Sequence, residues 1–252
     1  LGDETNVKYH LKAVKNTTLG SCLGIMDLLP SSEKLDTTLI KNPLVVGNIR
    51  MGFGHYRISI AMASCANFLG YTPLWFDLNS YKNTVGGKII NNSNDLYSLG
   101  SRWSQKYKLF NKFVWEPLNS EGFRKLSFNS IDQKVSELYV PLYSDFNKDI
   151  PFVATHVWPS QGAVHAGLSN VVNAIPDNWP MALHLSEGAV HTVQTKSSYL
   201  GYKTLNGMQK NKISKPMKSS DISYVGHYID HEIVSNILYD NSLRIKRLAD
   251  NE

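Results

Sequence analysis

The stretch that decides the fold is Pro43-Leu-Val-Val-Gly-Asn-Ile-Arg-Met-Gly-Phe-Gly-His-Tyr-Arg57. It opens with an apolar run of strand length, Pro43 to Ile49, and turns through Met51-Gly-Phe-Gly-His55. The following segment, Ile58 to Leu69, is small and apolar and reads as a buried helix. Gly70 stops that helix as a C-terminal cap glycine does. Thr72 to Leu78 then reads as a second strand. Strand, glycine turn, helix and strand form a βαβ unit, whose right-handed crossover makes the two strands parallel. Glycines in such a turn let a ligand approach the backbone, and the free N–H groups of the helix's first turn face it.

Working outward, Pro151 to His156, Asn170 to Ile175, His191 to Thr195 and Ile222 to His227 read as further short strands. Helical patterns separate several of them. Ser197 to Met208 is one, with Ser197 as its cap, and another runs through Ile233, Val234, Ile237 and Leu238 with Asp230 as its cap. Residues 121–140 read as a helix, and Leu243 to Glu252 is helical in pattern. Residues 79–100, rich in Asn, Ser and Gly, read as a loop, as does Val157 to Gly162. Leu19 to Leu29 is apolar and packs on the sheet as either a strand or a helix. This alternation predicts an α/β fold, a Rossmann-like and mostly parallel sheet flanked by helices.

Composition sets bounds on function. The chain has 252 residues, 42% of them hydrophobic and 19% charged, which is a globular composition. No apolar run approaches the roughly 18 residues of a membrane-spanning helix. The net charge of +5 fits anionic partners, but no nucleic-acid-binding motif accompanies it, so nucleic acid is not expected. Two cysteines, Cys22 and Cys65, do not make a disulfide framework, and a reducing cytosol is expected. Residues 101–118 interleave Arg102, Lys106, Lys108 and Lys112 with Trp103, Phe110, Phe113 and Trp115 and read as one helix ending before Pro117. Such a helix either lies on an anionic membrane surface, peripherally at its inner face, or is an ordinary amphipathic helix with its lysines in water.

In parallel sheets ligands sit outside the carboxyl ends of the strands. That rule gathers Gly52, Phe53, Gly54 and His55 after the first strand of the unit and Asp77 after its second. It adds His156, Ser160 and Gln161 after the third strand, and Asp177 and Trp179 after the next. His55 stands at a helix N-terminus, where the dipole keeps an imidazole neutral and able to accept a proton from a hydroxyl; the plainer reading is a histidine capping backbone groups. Arg57 pairs with a phosphate or with a surface carboxylate, and Asp177 is a catalytic acid or a turn former. Arg57 also occupies the third position of a dinucleotide fingerprint, where a small residue is needed, which argues against a nicotinamide enzyme. Of the eight histidines, His227 and His231 have the i, i+4 spacing of a zinc pair, but a break is expected between them and no Cys or carboxylate cluster completes a site, so neither a metal nor another cofactor is expected. There is no nucleophile elbow and no phosphate-loop lysine.

Gly52-Phe-Gly-His55, with Ala61 and Ala63 further along the helix, resembles the G-x-G-H loop of GT-B glycosyltransferases. The branch it looks most like holds the N-acetylglucosaminyltransferase of peptidoglycan synthesis and the monogalactosyldiacylglycerol synthases. Asn170 to Ile175, then Asp177 and Trp179, then His191 to Thr195 and a helix, are similar to that branch in order. Tyr224-Val-Gly-His-Tyr-Ile229 resembles the V-x-G-x-P-V segment that closes its N-terminal domain, without the proline. The resemblance covers roughly residues 43–78 and 150–230.

It implies that residues 1–228 are a Rossmann-like acceptor-binding domain and 229–252 a helical linker towards a C-terminal donor domain outside this chain. A sugar or lipid acceptor would bind here, and a nucleotide-sugar donor in that second domain. His55 or Asp177 would deprotonate the acceptor hydroxyl, with Gly52, Phe53, Gly54, Arg57, His156, Ser160, Gln161 and Trp179 about the substrate. Two other readings stand beside it: a non-catalytic module that binds a sugar, nucleotide or lipid, and a nucleotide-sugar hydrolase of the same fold.

Overall fold

The computed structural model describes residues 9–50, 53–117, 130–204 and 217–250. In chain order its main elements are β1 (His10–Lys15), β2 (Met26–Ser31), β3 (Pro43–Asn48), α1 (Phe53–Phe68), β4 (Thr72–Asp77), α2 (Val85–Lys106) and α3 (Lys108–Phe110). Then come α4 (Ser130–Glu137), β5 (Phe152–Ala154), α5 (Val157–His165), β6 (Val171–Ala174), β7 (Val190–Val193), α6 (Lys196–Thr204), β8 (Ile222–Tyr224), α7 (His231–Ser235) and α8 (Ile237–Ala249). The eight strands form one sheet in the order β1-β2-β4-β3-β5-β6-β7-β8. Every pairing is parallel except β1 with β2. The expected α/β architecture is therefore the one observed.

Alternation along the central strands sorts side chains onto two covered faces, as a buried parallel sheet requires. Val45, Leu74, Phe76 and Phe152 join a core with Ile90 of α2, Ala163 of α5 and Tyr81, Tyr139 and Tyr143. The intervening Val46 and Trp75 point the other way and pack with Leu23, Ile25, and Ile60 and Ala63 of α1. Phe76 lies at the centre of the first core, with the rings of Tyr81, Tyr143, Phe146 and Phe152 at 4.9–6.3 Å. Each such fully buried ring contributes roughly 1.5–3 kcal/mol. Of the expected strand residues, Val45, Val46, Phe152 and Val171 are buried, while Val153 and Val172 are half-buried. A third cluster, Ile175, Leu185, Val193, Tyr202 and Ile222, closes the β8 end.

The expected βαβ unit is β3–α1–β4, in register from Pro43 opposite Thr72 to Asn48 opposite Asp77. Gly70 ends α1 at φ 82°, with Tyr71 N–H bonded to Ala66 O and Gly70 N–H to Asn67 O, the paired bonds of a glycine-capped helix end.

Three readings of the sequence are corrected. Residues 79–100 are not a loop: after a short turn at Leu78–Ser80 they enter the long helix α2. Its glycines are packing sites. A methyl on Gly86 would lie 2.3 Å from the Tyr139 ring, and one on Gly87 1.9 Å from the Tyr81 carbonyl oxygen. Val157 to Gly162 is likewise helical, in α5, because His156 caps it and Pro159 falls in the first turn, where its missing N–H has no helical partner to lose. Residues 101–118 are not one helix: α2 ends at Lys106, the chain turns extended at Tyr107, and α3 runs into a π-helical turn at Asn111–Trp115. The N-terminal region supplies β1, held by the buried Asp145, whose carboxylate accepts from Leu11 N–H and Leu35 N–H and meets the His10 ring. Pro30 sits inside β2 beyond its pairing with β4, which involves only Met26 and Asp27, so its missing N–H costs that ladder nothing. Of the expected 121–140 helix, residues 121–129 lie outside the described residues, and α4 ends at Glu137, three residues short. Residues 205–208 of the Ser197–Met208 helix lie outside the described residues, and that helix is capped by Thr195 rather than Ser197.

Gly87→Ala should destabilise the fold by about 2 kcal/mol or more, because the clash is with backbone rather than a movable side chain. Gly54→Ala, whose added methyl meets nothing within 4 Å, should leave stability unchanged or slightly raised. Urea unfolding of the two variants checks the contrast.

Candidate active site

The chain leaves β3 in one direction, through α1 to β4, and returns on the other side of β3 as β5. In open α/β sheets a reversal of this kind marks the ligand crevice, here at the carboxyl ends of β3 and β5. Two histidines occupy it. His55 lies in the first turn of α1, and its Nδ1 is 2.6 Å from the carbonyl oxygen of Thr155, just past β5. A carbonyl only accepts, so Nδ1 carries the proton and Nε2 keeps a bare lone pair. Thr155 Oγ1 also donates to the His55 carbonyl at 3.2 Å, and beneath them Ser59 Oγ donates to Asn48 Oδ1 at 3.2 Å. The ring is thus fixed by bonds across the crevice. Burial pulls the His55 pKa below its ordinary value, the Thr155 bond opposes this, and nearby His184 lowers it while nearby Asp177 raises it.

His156 caps α5, its Nδ1 accepting from Trp158 N–H at 3.1 Å, so its proton resides on Nε2. Its ring meets that of His55 edge to face at 5.0 Å. Burial, with His55 and His184 nearby, pushes the His156 pKa well down.

After β6, the exposed Asp177 carboxylate lies 3.1 Å from Nε2 of His184, which is 4% exposed. That hydrogen bond holds the Asp177 carboxyl below the usual carboxylate range, against some desolvation. His184 Nδ1 is buried and has no hydrogen-bond partner among the described residues. Asn173 fixes this turn by donating to the His184 carbonyl at 2.6 Å. His184 is the member of the site that the sequence did not indicate. It follows no strand directly, and only the fold of the β6–β7 connection brings it back to Asp177.

The remaining expected residues divide. Phe53 and Trp179 are exposed, and Gly54 faces open space. Gly52 lies outside the described residues. Arg57 meets a carboxylate of the protein itself, donating to Asp230 at 2.8 Å. Asp230 therefore does not cap α7 with its side chain. Ser160 and Gln161 are buried and bonded internally. Ser160 Oγ donates to Val157 O, and Gln161 clamps Glu187 through both main-chain groups. Neither side chain is exposed to a ligand. Asp77 is bonded to Arg50 and to Asn79 N–H; burial raises its pKa and Arg50 opposes the rise. A separate cavity of about 470 Å³ lies by the carboxyl ends of β2 and β4, against Leu11, Tyr81, Lys82 and Leu142, and none of His55, His156, Asp177 and His184 borders it. Among the described residues no group of three or more His, Cys, Asp or Glu side chains is arranged to hold a metal ion.

Fold and site together define an α/β protein with a histidine-lined crevice at the point where strand order reverses. The chain belongs to the family of the domain of unknown function DUF6937, whose model matches residues 1–204. Residues 217–252 match a second domain of unknown function, DUF6938. No curated protein and no solved structure matches the chain. The two family matches meet inside one sheet, since β8 of the second pairs with β7 of the first.

Buried neutral histidines make stability depend on pH. His191 accepts from Ser186 N–H and meets the Asp221 carbonyl, and burial drops its pKa from 6.5 to about 4. Because the folded pKa is depressed, its contribution is complete above pH 6.5 and is lost as pH falls through about 4. His191 alone accounts for on the order of 3 kcal/mol over that window. His55 and His156 act in the same direction. Unfolding free energies measured between neutral pH and pH 4 should fall accordingly, and ¹⁵N NMR should find His55 as the Nδ1–H tautomer with a pKa below 6.5.

Proposed function

We propose that this chain is the acceptor-binding half of a glycosyltransferase that moves a sugar from a nucleotide-sugar donor to a hydroxyl acceptor. The observation that carries this reading is the His55 imidazole: neutral, held by Thr155 in one tautomer, and with no hydrogen-bond partner at Nε2 among the described residues. A base in that state is ready to take a hydroxyl proton at neutral pH. Nε2 removes the proton, the acceptor oxygen bonds to the anomeric carbon, and the bond to the nucleotide diphosphate breaks with its electron pair leaving on the phosphate. Attack opposite the leaving group inverts the anomeric centre.

Asp177 serves differently in this scheme. His184 keeps it ionised and weakly basic, so it suits stabilising the imidazolium formed at His55 better than taking the proton itself. Phe53 and Trp179 offer exposed aromatic faces beside these two residues for the acceptor. Gly54, with open space where a side chain would stand, leaves room for close approach. The donor belongs to a second domain, where helix N-termini and basic groups would stabilise the departing diphosphate.

The test is transfer from labelled nucleotide sugars to hydroxyl acceptors, diacylglycerol among them, by the protein expressed from its full reading frame. His55→Ala should lower turnover by about a hundredfold or more with unfolding unchanged, and Asp177→Asn should lower it less. Equal turnover in His55→Ala removes His55 as the base. Acceptor binding without transfer favours the non-catalytic module, and release of free sugar favours the hydrolase.

A further inference from the structure

The break at Tyr107 folds residues 96–115 into a hairpin of α2 against α3 and the π-helical turn. A small aromatic core holds it. Trp115 lies over Gly100, where a methyl would come 2.0 Å from its ring, and packs near Tyr97 and Phe110 at 5.5 and 6.5 Å. Phe110 meets Trp103 edge to face at 5.7 Å. Phe110 and Trp115 are half-buried between the two arms, and the hairpin presents Leu96, Trp103, Tyr107, Leu109, Phe113 and Val114 to solvent; Leu109 is 73% and Phe113 68% exposed.

Scattered exposed apolar residues are ordinary, but a run this dense on one projecting element marks an interaction surface. Its charge indicates the partner. Arg102, Lys106, Lys108 and Lys112 are all exposed, and no Asp or Glu falls between Asp95 and Glu116. Lys106 and Lys112 lie over the Tyr107 and Phe113 rings at 5.4 and 5.5 Å, so cation and aromatic share each position. Among the described residues no helix is long and apolar enough to cross a membrane.

We infer that this hairpin docks in the interface of an anionic lipid bilayer, with Leu109 and Phe113 entering the acyl boundary and the four cations at the headgroups. Apolar insertion and attraction to anionic lipid are the two components of such binding, and both are present on this hairpin. The inference stands apart from the transferase reading, since it uses none of the crevice residues.

The test is co-sedimentation of the full chain with phosphatidylglycerol-containing vesicles and with pure phosphatidylcholine vesicles, at low and high salt. Binding should require phosphatidylglycerol and weaken about tenfold or more at high salt, where the attraction is screened. A Leu109→Ser/Phe113→Ser variant should bind about tenfold or more weakly. Its urea unfolding should be unchanged, because both side chains are already exposed. No binding at low salt, equal binding to both vesicle types, or full binding by the variant overturns the inference and leaves a protein partner as the better account of the surface.

Discussion

The pairing of β3 with β5 is the constraint on which the rest of the molecule depends. Val45, Val46 and Gly47 lie opposite Phe152, Val153 and Ala154. This contact joins the opening βαβ unit to everything after residue 150. It is possible because position 47 has no side chain: a methyl there would lie 2.8 Å from the Phe152 ring and 3.1 Å from Pro159. One absent side chain lets the ring and the start of α5 settle against β3. Strand order reverses at the same place, so the packing that closes the core also opens the crevice above it.

The crevice inherits its chemistry from that geometry. His55 and Thr155 are one hundred residues apart in sequence, and their bond spans the seam between β3 and β5. It does more than hold the ring, since it decides which nitrogen carries the proton. Burial and His184 lower that imidazole's affinity for a proton, while the Thr155 bond and Asp177 pull the other way. Opposed influences of this kind, gathered from the ends of β3, β5 and β6, mark functional sites more often than ordinary structure. Arg57 shows the alternative fate of a charged group nearby. Bonded to Asp230, it joins α1 to the C-terminal segment, where His231 also stacks on Phe68 at 3.6 Å.

How much of this was legible in the sequence follows from the range of the interactions. The βαβ unit could be read because its signals are local: an apolar run of strand length, a glycine turn, a small apolar helix and a cap glycine at the correct place. The edge position of His55 and Asp177 was legible too, since each follows a strand and parallel strands bring their ends together. Residues 79–100 were misread because composition reports intrinsic preference. Gly86, Gly87 and Gly100 weaken a helix in isolation, yet Tyr139, Tyr81 and Trp115 need those gaps, and packing outweighs propensity.

By itself, then, the sequence determined the alternation of strands and helices, the parallel sense of the sheet and the edge at which ligands are expected. Those features depend on side-chain periodicity and on turn chemistry within a few residues. Only the tertiary structure decided which nitrogen of His55 carries the proton, that His184 sits behind Asp177, that Arg57 is held by Asp230 and that residues 96–115 fold into an aromatic hairpin. Each of these is a contact whose strength depends on distance and burial, and neither is written in the order of residues until the chain has closed upon itself.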